Sequence, residues 1–210
     1  MLVAVLMLGS ACTEAKPAPS TSTKAPAAKV YDPCSLLTAE QLTELAGTEV
    51  PEFGQVLSAV PERSCMRQDV LSVTEWSVRV SFDVMRASQW AATIARDVDT
   101  SPDAEKARDL FEAALKESGM DEEQLVSVND DQACAFWRSF ARVRGLPDSE
   151  RLSIADDNSD LGGITRGQAC DEGTYVEVVV QSEDKVDRAT ARRVADAVEV
   201  LLRSADRLPD

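Results

Sequence analysis

The side chains of this chain that could perform acid–base chemistry are carboxylates, because the sequence contains no histidine. Without histidine the chain lacks the usual general base near neutral pH, the commonest zinc ligand and every Ser-His or Cys-His nucleophile system. The 37 Asp and Glu residues leave room for a carboxylate pair of the kind that cleaves glycosidic bonds. No spacing singles out two of them, so we predict no catalytic residue from the sequence.

An acidic segment at residues 156–162, Asp-Asp-Asn-Ser-Asp-Leu-Gly, is the strongest candidate for a metal site. An EF-hand loop requires glycine at its sixth position and glutamate at its twelfth, where this chain has Leu161 and Gly167. The motif fails at both positions, and a solvated turn is the interpretation that we favour over an irregular calcium site. We therefore predict no metal site and no cofactor.

One basic and aromatic cluster stands out in an otherwise acidic chain. Residues 133–143 are predicted to form a strand, and the cluster consists of Phe136, Trp137, Arg138, Phe140 and Arg142, with Arg144 directly after the strand. One interpretation is a binding patch in which the arginines hold an anionic ligand or partner through paired hydrogen bonds. The other, which we favour, is that the aromatic side chains face the core while the arginines face water.

The first twelve residues have the layout of an export signal. Residues 2–8 are an apolar run that is too short to span a bilayer but suits the hydrophobic region of a signal peptide. Small residues then lead to Cys12, and this stretch resembles the lipobox of bacterial lipoproteins, in which the cysteine is acylated and becomes the first residue after cleavage. The resemblance implies a signal peptide at residues 1–11 and a palmitate-type lipid on Cys12. Because no Lys or Arg precedes the apolar run, we expect the true start to lie upstream of Met1.

The segment after this cysteine is typical of a tether. Residues 13–30 contain three prolines among many Ala, Ser, Thr and Lys residues, a composition that cannot form a packed core. The competing interpretation, a buried N-terminal element with an unpaired core cysteine, does not explain such a stretch. We predict a lipidated cysteine and tether over residues 12–30 and a single globular domain over residues 31–210. Since two or more acyl chains give stable anchoring, the domain is expected on the extracytoplasmic face of the cell membrane.

Four further cysteines predict two disulfides in an exported chain. Cys34, Cys65, Cys134 and Cys170 allow three pairings, and the sequence does not choose among them by itself. We favour sequential pairing, because each pair then encloses a loop of similar length and each second cysteine precedes a strand and then a helix. The same organisation is consistent with a diverged internal repeat of residues 31–120 and 121–210.

Alternation and capping signals predict a mixture of helices and strands. Helices are predicted at residues 39–46, 88–97, about 102–118 and about 188–204. Strands are predicted at residues 76–84, 125–128, 133–143 and 174–181, with a weaker strand at 50–59. These elements do not follow a regular β-α-β rhythm. We therefore predict an α+β fold in which an antiparallel sheet carries helices packed on one face and is stapled by two disulfides.

The formal net charge of −15 limits the partners of the domain. Residues 13–30 hold three lysines against one glutamate, so the acidic charge is concentrated in the remainder of the chain. Such a surface repels phosphate backbones, and we expect no nucleic-acid partner.

Several short elements resemble one family. Asp-Pro-Cys-Ser-Leu-Leu-Thr at residues 32–38, Ser-Cys at 64–65 and Gly-Gln-Ala-Cys at 167–170, together with the lipobox-like start, resemble the actinobacterial secreted lipoproteins of the domain-of-unknown-function 3558 family. The resemblance implies an envelope location and disulfides, and it brings no catalytic residues.

The sequence thus predicts a non-enzymatic, membrane-anchored lipoprotein that binds an envelope ligand or a protein partner. Two alternatives belong to other classes: a histidine-free glycan hydrolase that uses carboxylates, and a lipid carrier. The hydrolase requires two carboxyl groups in a cleft with at least one raised pKa. The carrier requires an apolar cavity of several hundred cubic ångströms.

Overall fold

The computed structural model describes residues 33–48, 54–55, 64–68, 77–100, 103–146, 151–160 and 162–204. The predicted signal peptide, Cys12 and the tether lie outside these residues. Residues Tyr31–Asp210 fall into one compact unit. None of the helices in the described segments combines the length and the apolarity needed to cross a membrane.

The described strands form one antiparallel sheet of six strands in the order β1-β2-β3-β6-β5-β4. Its strands are β1 Gly54–Gln55, β2 Ser64–Gln68, β3 Val78–Arg86, β4 Leu152–Ser159, β5 Gly162–Asp171 and β6 Thr174–Ser182. The described helices are α1 Ala39–Ala46, α2 Ala87–Asp97, α3 Ala104–Ser118, α4 Asp130–Val143 and α5 Arg188–Leu202. Short 3₁₀ helices lie at Pro33–Leu36, Val98–Thr100 and Glu122–Val126.

Helices α1 and α5 cover one face of the sheet. Alternate valines of β6 and alternate apolar residues of β3 point to this face because successive strand residues point to opposite sides. They pack against the apolar stripe of α5 and against α1; the buried members include Val80, Phe82, Val176, Val178, Leu42, Leu45, Val194, Val198 and Leu201. The predicted α+β class with an antiparallel sheet is confirmed.

The ends of α1 and α5 follow from local hydrogen bonds. At the start of α1, the Gln41 N–H donates to the Thr38 hydroxyl at 3.1 Å and the Thr38 N–H donates to the Gln41 side chain at 2.8 Å. This reciprocal capping box satisfies two N–H groups that the helix leaves without a partner. Gly47 ends the helix with φ of 76°, a left-handed conformation that glycine adopts without strain. At the start of α5, the Asp187 carboxylate accepts from the Thr190 N–H at 2.9 Å.

Helices α2, α3 and α4 form a second layer, which we call the helical cluster. Its buried side chains include Phe111, Leu125 and Phe136, each with no exposed surface. Phe111 and Phe136 meet edge to face with ring centroids 5.8 Å apart. The cluster also packs against Cys170 and Tyr175, which lie on the sheet face opposite to α1 and α5. Part of this second face is therefore covered by the helical cluster.

Two predicted strands are wrong. Residues 133–143 belong to α4, and Leu125 lies in the 3₁₀ helix Glu122–Val126 rather than in a strand at 125–128. Helix α4 begins with a capping box, in which Gln132 N–H donates to Asn129 at 2.9 Å and Asn129 N–H donates to Gln132 at 3.1 Å. The aromatic residues of this segment have a high propensity for strands in isolation. Their positions recur with the helical period, however, so a helix can bury them together on one side, and this packing decides the conformation.

The remaining predicted elements agree with the structure where it describes them. The strand expected at 76–84 is β3, and Trp76 lies outside the described residues. The strand expected at 174–181 is β6, and the helices at 88–97 and 188–204 are α2 and α5. Gly119 ends α3 with φ of 70°, as expected, whereas the predicted start of α3 at residues 101–102 lies outside the described residues.

Both predicted disulfides are confirmed. Cys34–Cys65 has a Cα–Cα distance of 4.9 Å and Cys134–Cys170 one of 5.3 Å. The first joins a 3₁₀ helix to β2 on the face covered by α1 and α5, because Cys65 lies opposite Phe82 in the ladder. The second joins α4 to β5 on the other face, because Cys170 lies opposite Tyr175. The strand order is symmetric about the β3–β6 pair, but the two disulfides lie on opposite faces of the sheet.

Candidate functional site

A cleft of about 540 Å³ lies between the helical cluster and the second face of the sheet. Its volume falls within the range of about 300–1,000 Å³ that is typical of small-molecule sites. The α2, α3 and α4 helices form its walls, and β5 and β6 form its floor. Five elements from two parts of the sequence, residues 87–143 and 162–182, therefore converge on one concave surface.

Aromatic and aliphatic side chains form the walls of the cleft. Trp90 of α2 stacks on Tyr175 of β6, with ring centroids 4.9 Å apart and an interplanar angle of 20°. Phe140 of α4 meets the same tryptophan edge to face at 6.4 Å. Ile94 and Leu110 complete the apolar lining from α2 and α3. Packing fixes these flat surfaces before any ligand arrives, so little ordering entropy remains to be lost on binding.

The floor of the cleft is polar and fully hydrogen-bonded. Tyr175 hydroxyl donates to Glu177 Oε2 at 2.8 Å, and Gln168 Nε2 donates to the same oxygen at 2.7 Å. Arg166 Nε lies 3.6 Å from Glu177 Oε1. Each oxygen of this carboxylate thus has a partner, and the carboxylate is held as an oriented acceptor.

Tyr175 is an un-ionised donor in this network. Burial raises the pKa of its phenol well above its ordinary value, and the negative charge of Glu177 raises the pKa further. The hydroxyl proton therefore stays on Tyr175 throughout the physiological pH range. The Tyr175 hydroxyl and the Gln168 amide together hold Oε2 of Glu177 in place.

A row of polar side chains crosses four strands at the level of Glu177. Ser64, Asp83, Glu177 and Gln168 are consecutive cross-strand partners on β2, β3, β6 and β5. Two carboxyl groups directly opposite each other in a ladder repel when both are ionised. Burial raises the pKa of Asp83 and the charge of Glu177 raises it further, while a hydrogen bond with Ser64 acts in the opposite direction.

The raised pKa of Asp83 predicts that Asp83→Asn stabilises the domain at pH 7 by about 1 kcal/mol, since the amide removes the cost of burying a charge and the like-charge contact with Glu177. The folded protein holds the Asp83 proton to higher pH than the unfolded chain does, so wild-type stability falls as pH rises through the raised pKa. The gain in the variant should therefore shrink as pH falls towards about 4, the ordinary aspartate range.

Urea unfolding at a series of pH values measures this difference. Asp109→Asn, an exposed position on α3, is the control and should change stability little at any pH. A destabilised Asp83→Asn protein at pH 7, or a difference that does not vary with pH, would contradict the assignment.

The residues of the predicted binding patch lie in three different places: the core, the cleft and the solvent-exposed surface. Phe136 is fully buried, and Trp137 is buried with part of its ring lining the cleft. Phe140 also lines the cleft. Arg138 and Arg142 are exposed, and Arg142 pairs with Glu117 of α3. Helix α4 therefore contributes two aromatic side chains to the cleft, while both of these arginines lie outside it.

The acidic segment 156–162 is mostly strand rather than turn. Asp156, Asp157 and Asn158 lie in β4, and the predicted turn begins at Asp160. Asp156 accepts from the Thr165 hydroxyl at 2.6 Å, and the Asn158 amide bonds to the backbone N–H and C=O of Val186. Among the described residues no group of three His, Cys, Asp or Glu side chains is placed to hold a metal ion.

Most of the cleft residues are not among the functional residues predicted from the sequence. Trp90 lies in a predicted helix and Tyr175 and Glu177 lie in a predicted strand, none of them with a predicted functional role. No element is predicted over Gln168, and Arg144 is noted only beside the basic and aromatic cluster. The one available signal was alternation in β6, which places Tyr175 and Glu177 on the face opposite to Val176, Val178 and Val180. A charged residue on a buried strand, next to a tyrosine on the same face, indicates a polar floor.

The function of this chain is inferred from the geometry of the cleft. A cleft on a widely used type of architecture does not define an activity, because unrelated functions occur on one fold. No protein-family model, no curated protein and no solved structure matches this chain.

Proposed function

We propose that this protein is a lipid-anchored, extracytoplasmic lipoprotein of the cell envelope whose cleft binds a small-molecule ligand. The observation that carries the binding function is the cleft of about 540 Å³, with rigid aromatic walls and an oriented polar floor. The lipoprotein assignment rests on the lipobox-like sequence at Cys12 and on the resemblance to the secreted actinobacterial family. Two disulfides are consistent with an oxidising compartment.

The composition of the cleft favours binding of a ligand with both apolar and polar parts. Trp90 and Phe140 offer flat apolar surface on the walls. Gln168 and Glu177 offer polar atoms on the floor, with orientations set by their own hydrogen bonds. A few fixed polar groups within an apolar cavity are the usual composition of a site that orients a small ligand.

A glycan hydrolase is the alternative that the Asp83–Glu177 pair favours. The two carboxyl groups face each other across β3 and β6, and the pKa of Asp83 is raised, as such an enzyme requires. Only Glu177 of this pair lines the cleft, and both of its oxygens already have partners. If the alternative were correct, Glu177→Gln would abolish hydrolysis of envelope glycans by the purified chain.

A lipid carrier receives less support from the same geometry. An acyl chain requires an apolar floor, since burying charged groups beside it without partners costs free energy. Here Arg166 and Glu177 form the floor of the cleft. The lining is better matched to a ligand that brings its own polar group.

The binding function predicts that filling the cleft removes a bound small molecule. Ala107 lines the cleft from α3, and in Ala107→Phe a benzyl group would occupy that space. The full chain carrying Cys12→Ser, which avoids the need for detergent, is incubated with a small-molecule extract of the envelope and analysed by native mass spectrometry. We expect a bound mass on this protein and a signal lower by about tenfold or more when Ala107→Phe is added.

The matched control is Ala135→Phe, an exposed position on α4 outside the cleft. It adds the same side chain without filling the cavity, so the bound mass should persist. Near-ultraviolet circular dichroism checks that both variants keep native packing. An equal signal on all three proteins, or no bound mass on any of them, would count against binding in the cleft.

A further inference from the structure

Three cationic side chains line the cleft of a chain whose net charge is −15. Lys106 and Arg144 form no ion pair with any carboxylate of the described residues. Arg108 of α3, by contrast, pairs with Asp99 and Glu122. The charges of Lys106 and Arg144 therefore remain available inside the cleft, where an incoming anion would meet them.

The Arg144 guanidinium is positioned by its neighbours. Its Nη1 donates to Gln168 Oε1 at 3.0 Å, and its Cζ lies 5.7 Å from the centre of the Phe140 ring. Gln168 turns its oxygen to the arginine because its amide nitrogen donates to Glu177 and to Tyr175. A guanidinium has five N–H groups, so most of them remain to form paired hydrogen bonds with an anion.

The third cation, Arg166, lies two residues before Gln168 on the same face of β5. Its ion pair with Glu177 is long, at 3.6 Å, and its side chain is 47% exposed. Contacts thus run from Arg144 through Gln168 and Glu177 to Arg166. The two arginines offset the negative charge of Glu177, which is the one carboxylate of the floor, and leave positive charge on both sides of it. Asp103, next to α3, is the other acidic group that lines the cleft.

We propose that the ligand of this cleft is a small organic anion with a flat apolar group. Its anionic group is held by Arg144, with Lys106 and Arg166 close by, and its apolar group lies against Phe140 and Trp90. The three cations of the cleft are complementary in charge to an anionic group, and the stacked aromatic wall is complementary in shape to a flat apolar group. The inference rests on the proposed binding function and specifies the chemistry of its ligand.

The test compares two fluorescent probes that differ in one anionic group. 1-Anilinonaphthalene-8-sulfonate carries a sulfonate, and N-phenyl-1-naphthylamine is the same aromatic skeleton without it. Both are titrated into the full chain carrying Cys12→Ser. We expect one sulfonate probe per chain, bound about tenfold more tightly than the uncharged probe at low salt. The difference should shrink as salt is added, because salt screens the partly exposed cations.

Charge variants then locate the contact. Arg144→Gln should weaken binding of the sulfonate probe about tenfold and leave the uncharged probe nearly unchanged. Arg138→Gln, on the exposed side of α4, is the matched control and should affect neither probe. Asp103→Asn should tighten binding of the sulfonate probe, since it removes a negative charge from the cleft.

The outcomes separate this inference from the binding function on which it rests. Two results would show that the ligand is not an anion, while still supporting a binding cleft. The first is that the uncharged probe binds as tightly as the sulfonate probe, and the second is that Arg144→Gln changes the affinity for both probes equally. If neither probe binds to the folded protein, the inference fails together with binding in the cleft.

Discussion

Replacing Cys134 and Cys170 together by alanine is expected to lower the free energy of unfolding by about 4 kcal/mol. The bridge closes a loop between positions 36 residues apart, and removing it restores that loop entropy to the unfolded chain. Total stabilities of single domains are about 5–15 kcal/mol, so this loss is a large fraction of the whole. Urea unfolding of the double variant measures it, and a loss below about 1 kcal/mol would contradict a structural role.

The Cys34–Cys65 bridge provides a matched comparison. It spans 31 residues, so its removal should cost a similar amount, about 4 kcal/mol. It lies on the sheet face covered by α1 and α5, whereas Cys134–Cys170 ties α4 to the floor strand β5. Under conditions in which both variants are folded, only loss of Cys134–Cys170 should weaken binding of the sulfonate probe.

Phe111→Ala is expected to destabilise the domain by about 4 kcal/mol, the usual cost of deleting a fully buried phenylalanine ring. Its side chain has no exposed surface, packs edge to face on Phe136 and lies below the Arg108 guanidinium at 5.4 Å. Thermal or urea unfolding measures the loss. Val126→Ala serves as control, because Val126 is 69% exposed and should contribute little. Equal effects of the two substitutions would contradict the packing of the helical cluster.

Elements with strong local signals could be predicted from the sequence. Thr38, Gln41 and Gly47 define both ends of α1 without help from the rest of the fold. The alternating valines of β6 and the apolar stripe of α5 likewise fix an element and the face that it buries. In these segments local preference and tertiary packing favour the same conformation.

The failure at α4 has a specific physical cause. Phe136, Trp137 and Phe140 have high strand propensity, but their spacing matches one side of a helix and Asn129 with Gln132 caps its start. Giving weight to the capping box over the residue type would have predicted the helix. The helix separates Phe136 and Trp137, which are buried, from Arg138 and Arg142, which are exposed.

The cleft could not be predicted, because its residues are neighbours only in the folded chain. Trp90 and Tyr175 stack although 85 positions separate them in the numbering, and Arg144 reaches Gln168 across a boundary between helix and sheet. The spacing of residues within a segment carries no information on such contacts. The chemistry of the site follows from the arrangement of α2, α3 and α4 over β5 and β6.

The cellular placement depends on acylation of Cys12, and mass spectrometry of the N-terminal peptide of the mature, membrane-recovered protein tests it most directly. We predict that Cys12 is the first residue and carries a diacylglyceryl group on its sulfur, and that Cys12→Ser releases the protein into the soluble fraction. A mature chain that retains residues 1–11 and has a free Cys12 thiol would contradict the lipoprotein assignment.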